Sequence, residues 1–180
     1  MKSMKTKALI SIALLVSMGS VLHVVEGMIP LPNILLPGAK LGFANIVTLI
    51  ALYLFGGREA FLVVLLRIFL GSLLGGSFLN VGFFLALSGG MCAFGGLVLG
   101  KKAHLSIIAV SIIGALFHNT GQVAAAFIYL QSKEIFWYLL ILLPFALPAG
   151  LFIGYLSGLF LQYWNRFDLM LKPDFRELHW

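Results

Sequence analysis

Three groups of polar residues stand where an apolar chain has least use for them. Arg67 lies near the middle of the apolar run 58–74. A guanidinium at membrane depth costs from about 2.5 kcal/mol upward unless it faces protein or a watery cavity. The sequence leaves three answers open: an internal ion pair, an anionic ligand or lipid, and snorkelling to the headgroups. Glu26 and Glu59 are the only acids before Glu134, and Glu59 sits two turns away on the same run. His118, Asn119, Thr120 and Gln122 form a polar knot in the run 105–130. Helical spacing places Ser111, Gly114, His118 and Gln122 on one stripe with Asn119 beside it, facing either a ligand or a neighbouring helix. Lys40 and Asn45 flank the start of a further apolar run, where a lysine reaches headgroups or a ligand and a buried amide must find partners. Asn80, opening a fourth run, completes the candidate substrate-binding set.

Cations and amides without a nucleophile–base pair suit the holding of an anion better than bond making. No G-x-x-x-x-G-K-[ST] loop is present, which excludes P-loop ATP hydrolysis by this chain. The only aspartates, Asp168 and Asp174, lie in the tail, so an aspartate-rich Mg²⁺–diphosphate site is missing too. His23 and His118 are far apart in sequence with no thiol or second acid spaced to complete a metal site. Neither a metal nor another cofactor is expected.

The elements that must position these residues are membrane helices. Of 180 residues, 61% are hydrophobic and 10% charged, and the mean hydropathy is +1.07. Soluble domains carry roughly 25% charged residues, so the composition is that of an integral membrane protein. The excess of basic residues is dispersed between apolar runs, which fits topology signals and not a nucleic-acid patch. Apolar runs at about 8–25, 41–55, 58–74, 80–99, 105–130 and 135–163 predict six transmembrane helices in one all-α domain spanning 1–180. A basic head (1–7) precedes them, and a tail (164–180) follows. With the amino terminus cytoplasmic, nine basic residues fall on the cytoplasmic side and only Lys40 and Lys133 outside. Both termini are then cytoplasmic in a multi-pass plasma-membrane protein. The apolar, proline-bearing loop 26–40, with Pro30, Pro32 and Pro37, is expected to fold back over the outer end as a lid. Small-residue ladders at Gly82, Ala86, Gly90, at Cys92, Gly96, Gly100 and at Gly150, Gly154, Gly158 predict close helix crossings, and Pro144 and Pro148 predict a kink in the sixth helix. Ala13 and Ser17 form a shorter stripe on the first helix.

Pro37-Gly-Ala-Lys-Leu-Gly-Phe-Ala-Asn-Ile-Val-Thr-Leu49, Arg67 with Gly71-Ser72-Leu73-Leu74-Gly75, Ser88-Gly89-Gly90, and Gly114-Ala115 with His118-Asn119-x-x-Gln122 resemble a bacterial family. It is known as heptaprenyl diphosphate synthase component I, or the Gx transporter family. That family is grouped with the substrate-binding S components of energy-coupling factor (ECF) vitamin transporters. The resemblance implies a six-helix S-component-like bundle that captures a small, anionic metabolite, with a membrane scaffold and ATPase subunits as partners. It implies that Ala13-x-x-x-Ser17 stands where S components carry their partner-docking stripe. The family name implies the alternative, a non-catalytic membrane accessory of a soluble prenyl synthase subunit in menaquinone side-chain synthesis.

Overall fold

A computed structural model of the protein describes residues 2–28 and 40–171, and, within them, the side chains of Thr6, of residues 8–28 and 40–164, and of Arg166. The lid expected over 26–40 lies outside the described residues except at its ends, as does the tail beyond Leu171. Six α-helices follow one another: α1 (Lys2–Met28), α2 (Asn45–Leu54), α3 (Gly57–Leu74), α4 (Val81–Lys102), α5 (Ile107–Leu130) and α6 (Phe136–Leu171), with a 3₁₀ turn at Lys133–Ile135 before the last. Among the described residues there is no strand. The basic head and the start of the tail are helical, because neither contains a residue that stops α1 or α6. α6 continues through Pro144 and Pro148.

The six helices are not equivalent. Four are long and apolar enough to cross a membrane, at Ala8–Met28, Val81–Lys102, Ile107–Leu130 and Lys133–Trp164. α3 carries Arg58, Glu59 and Arg67 within 18 residues. α2 has ten residues, so it is about 15 Å long and about half a hydrocarbon thickness. Apart from Asn45 and Thr48 it is apolar, and it is enclosed by its neighbours. Indeed Val47, Thr48, Leu49, Ile50, Ala51 and Leu52 are all buried, and α2 touches each of the other five helices. Leu15, Val16, Val63, Leu97, Val110 and Ile153 from those five close around it.

Small residues set the spacing of the surrounding helices. A Cβ on Gly121 of α5 would lie 2.7 Å from the Ser88 carbonyl oxygen and 2.8 Å from Cys92 Sγ of α4. A Cβ on Gly150 of α6 would lie 2.7 Å from Ile112 Cα of α5. Backbones approach this closely only where no side chain intervenes, as the ladder through Gly150 predicted, while Gly121 stands in none of the predicted ladders. At one end of the bundle Lys101 donates to the Leu52 carbonyl at 2.6 Å, capping the carboxyl end of α2 with a cation. The opposite end is where α1 and α3 finish and α2 and α4 begin, and there the polar residues gather.

Candidate functional site

α2 starts at Asn45, four residues later than the apolar run suggests, because Gly42 has a positive φ of 88° and breaks the helical path. Residues 40–44 therefore form an irregular strap packed among helices. Backbone groups in such a place have no water to turn to and must be paired internally. Gln122 supplies the first pairing. Its Oε1 accepts from the Lys40 amide at 3.0 Å, and its Nε2 donates to the Lys40 carbonyl at 2.9 Å. Glu26 supplies the second, its Oε1 accepting from the amides of both Gly42 and Phe43, the latter at 3.1 Å. Asn45 N closes the turn on the Gly42 carbonyl at 2.9 Å. The amide of Gln122 and the carboxylate of Glu26 thus hold the strap in place.

Arg67 reaches α2 from α3. Its Nη2 donates to Asn45 Oδ1 at 2.5 Å and its Nε to Thr48 Oγ1 at 3.3 Å. Gly19 of α1 makes room for the stem, since a Cβ there would lie 3.1 Å from Arg67 Cδ. Arg67 is 3% exposed. Among the described residues its hydrogen-bonding partners are neutral, and Glu26 acts on it only through space. Asn45 is held through its oxygen, which leaves its buried Nδ2 without a partner, next to Gly42 and the His118 ring.

Gln122 Nε2 also contacts His118 Nε2. An amide nitrogen only donates, so His118 accepts there and carries its proton on Nδ1, toward Gly89. His23 of α1 meets Ser72 Oγ at 3.3 Å through Nε2, and its carbonyl accepts from Lys40 Nζ at 3.1 Å. The structure therefore brings together Lys40, Asn45, Arg67, His118 and Gln122 from three separate stretches. Two members of the expected set lie elsewhere. Asn119 points to α6, donating to the Leu142 carbonyl at 3.0 Å. Asn80 is exposed and caps α4, its Oδ1 accepting from Phe83 N at 3.3 Å.

Sequence reasoning missed Thr48, His23 and Ser72 as members of the cluster. Thr48 lies three residues after Asn45 and His23 three before Glu26, so i,i+3 spacing could have shown both. Ser72 has no comparable signal. Glu26, one of the two acids the sequence leaves open as an ion-pair partner for Arg67, serves as a backbone acceptor for the strap.

Beside the strap opens a cavity of about 280 Å³, lined among others by His23, Gly27, Lys40, Leu74, Ser77 and Gly82. Of the expected site residues, only Lys40 lines it. Burial lowers the Lys40 ammonium to about 8; attraction to Glu26 opposes this shift, and repulsion from Arg67 adds to it. Lys40 remains mostly charged at neutral pH. The cluster then holds two cations, Arg67 and Lys40, and one acid, Glu26, an imbalance suited to an anion.

Fold and hydropathy define the class, an all-helical protein of membrane type with four helices long and apolar enough to span. Within it the chain belongs to the family described as heptaprenyl diphosphate synthase component I, which residues 15–160 match. No curated protein and no solved structure matches the chain.

Proposed function

We propose that the protein is the substrate-capture subunit of an energy-coupling factor type uptake transporter and binds a small anionic metabolite at the Lys40 end of the bundle. The observation that carries this reading is the charge imbalance of the cluster whose Lys40 lines the 280 Å³ cavity: among the described residues of that cluster, Glu26 is the one acid set against Arg67 and Lys40. In this reading all six apolar runs cross the membrane, α3 with Leu62, Leu66, Phe69 and Leu73 turned to lipid, and α2 together with the strap that precedes it. The Lys40 end faces outward, and both termini are cytoplasmic. The energy comes from a scaffold and ATPase subunits that this chain does not encode. Ala13 and Ser17 are exposed on α1, where a membrane partner could approach closely, and Ser17 Oγ is folded back on the Ala13 carbonyl at 2.9 Å.

The test is native mass spectrometry of gently extracted protein, beside Arg67→Gln. Wild type should carry a small anion, and Arg67→Gln should lose it without losing thermal stability, because the substitution also removes a costly buried charge. If Arg67→Gln keeps the anion but unfolds easily, Arg67 is a structural residue and the reading fails.

A second reading, a membrane accessory of a prenyl synthase, is favoured by the family's description. An open apolar groove of about 610 Å³ between α4 and α5, lined by Phe84, Leu87, Met91 and Ile128 among others, has the character an isoprenoid chain needs. Co-purification separates the two, since ATPase partners favour uptake and a soluble prenyl synthase favours the accessory role.

A further inference from the structure

The strap does more than start a helix. Two successive backbone N–H groups, of Gly42 and Phe43, converge on one oxygen of Glu26. Successive amides in such a turn form a concave nest whose partial positive charge suits an anion. This nest lies at the amino end of α2, where the helix dipole adds to the field. A second and independent observation points the same way. The buried Asn45 Nδ2 donor has no partner and lies beside Gly42, 2.8 Å from where a Cβ on that glycine would be. A carboxylate with one oxygen in the nest leaves that donor free for another acceptor. Arg67 and Lys40 supply more positive charge than Glu26 cancels. Lys40 connects nest and cavity, its backbone leading into the strap while its side chain lines the cavity.

We infer that the Gly42–Phe43 nest is the seat of the ligand's carboxylate, and that Glu26 is a resident carboxylate that fills the seat until ligand displaces it. The inference rests on the anion-capture reading and deepens it by naming the acidic group and its receptor. A carboxylate is the favoured class because the resident occupant is one, bound through a single oxygen. The cavity that Lys40 lines is small, below the 300–1,000 Å³ usual for drug-sized ligands, so a ligand body lodged there is small as well. In exchange for the seat, the displaced Glu26 loses two amide hydrogen bonds, and the incoming carboxylate gains them. Net binding then depends on what else the ligand gains from Lys40 and Asn45.

Acetate titration of the full chain in detergent tests this, with acetamide as the neutral control and inorganic phosphate as the competing anion. Glu26→Gln keeps an oxygen for the two amides but removes the charge, so the fold is preserved and the resident is easier to displace. It should bind acetate about tenfold more tightly than wild type, or better. Glu26→Ala empties the seat and leaves two amides unpaired. It should be thermally weakened and rescued by acetate, not by acetamide. Phosphate rescuing better than acetate would overturn the carboxylate assignment. Acetate binding Glu26→Gln no tighter than wild type, or stabilising Glu26→Ala no more than acetamide does, would overturn the nest. If wild type nevertheless carries a small anion in native mass spectrometry, only the nest is lost. If neither wild type nor any variant holds an anion, the capture function is lost with it.

Discussion

Replacing Gln122 with methionine isolates the pairing on which the strap depends. Methionine approximates the length and volume of glutamine, so the packing cost is small, but it has no amide. In the native protein both ends of that amide are committed to Lys40, at 3.0 Å to its N–H and 2.9 Å to its carbonyl. Gln122 is 0% exposed, so water cannot replace it without the bundle opening. Each buried backbone group left unpaired costs about 1–3 kcal/mol, which makes the expected loss roughly 2–6 kcal/mol. For a chain of this size that is a fall in melting temperature of at least about 4 °C. The assay is thermal unfolding in detergent beside hydrogen exchange of the amides of residues 40–44. Those amides should lose protection before the rest of the bundle, because the strap is released locally. A loss below about 0.5 kcal/mol with unchanged protection would refute the reasoning, since Lys40 would then have another source of partners.

Gly42→Ala places a Cβ 2.8 Å from Asn45 Nδ2 and 2.9 Å from His118 Cδ2, at a φ of 88°. Left-handed backbone and overpacking together should cost about 2–5 kcal/mol in an unfolding experiment, and a change within about 0.5 kcal/mol would mean the strap relaxes freely. Lys40 gives up its proton near pH 8 in the folded protein and near its ordinary value of 10.5 when unfolded. Between these values the unfolded chain binds more protons, so Lys40 contributes a rise in stability with pH across that window, while anion affinity falls as pH passes 8. Lys40→Met should remove both slopes, and slopes that persist would place the titrating group elsewhere. Asn80→Ala should cost about 0.5–2 kcal/mol of stability as a lost helix cap and leave ligand retention unchanged; loss of ligand at normal stability would return Asn80 to the binding site.

Much of this architecture is legible in the sequence because hydropathy and small-residue spacing act locally. A run such as 105–130 is helical and apolar whatever lies beside it, and glycines four apart share a face in any helix. Gly150 against Ile112 and Gly154 against Ile108 realise crossings of the expected kind. The excess of cations over acids among the apolar runs is likewise a property of composition. Hydropathy alone, however, could not tell a spanning segment from an enclosed one. The run 41–55 looks like a short span, yet its first residues form the strap and its ten-residue helix is surrounded by the other five.

The partners of the polar residues were decided only by tertiary structure. Asn119 is close in sequence to His118 and Gln122 but diverges from both, because successive helical positions point about 100° apart, while His118 and Gln122, four apart, share a face and touch. Gln122 meets a backbone segment 82 residues away, Asn119 meets α6, and Asn80 caps its own helix. Arg67 finds an amide and a hydroxyl on α2 where the sequence directed attention to acids. A side chain's need for a hydrogen bond is written in its chemistry, and that much the sequence states. Which donor or acceptor meets that need depends on which helices adjoin and at what depth, and this is determined only when the whole bundle packs.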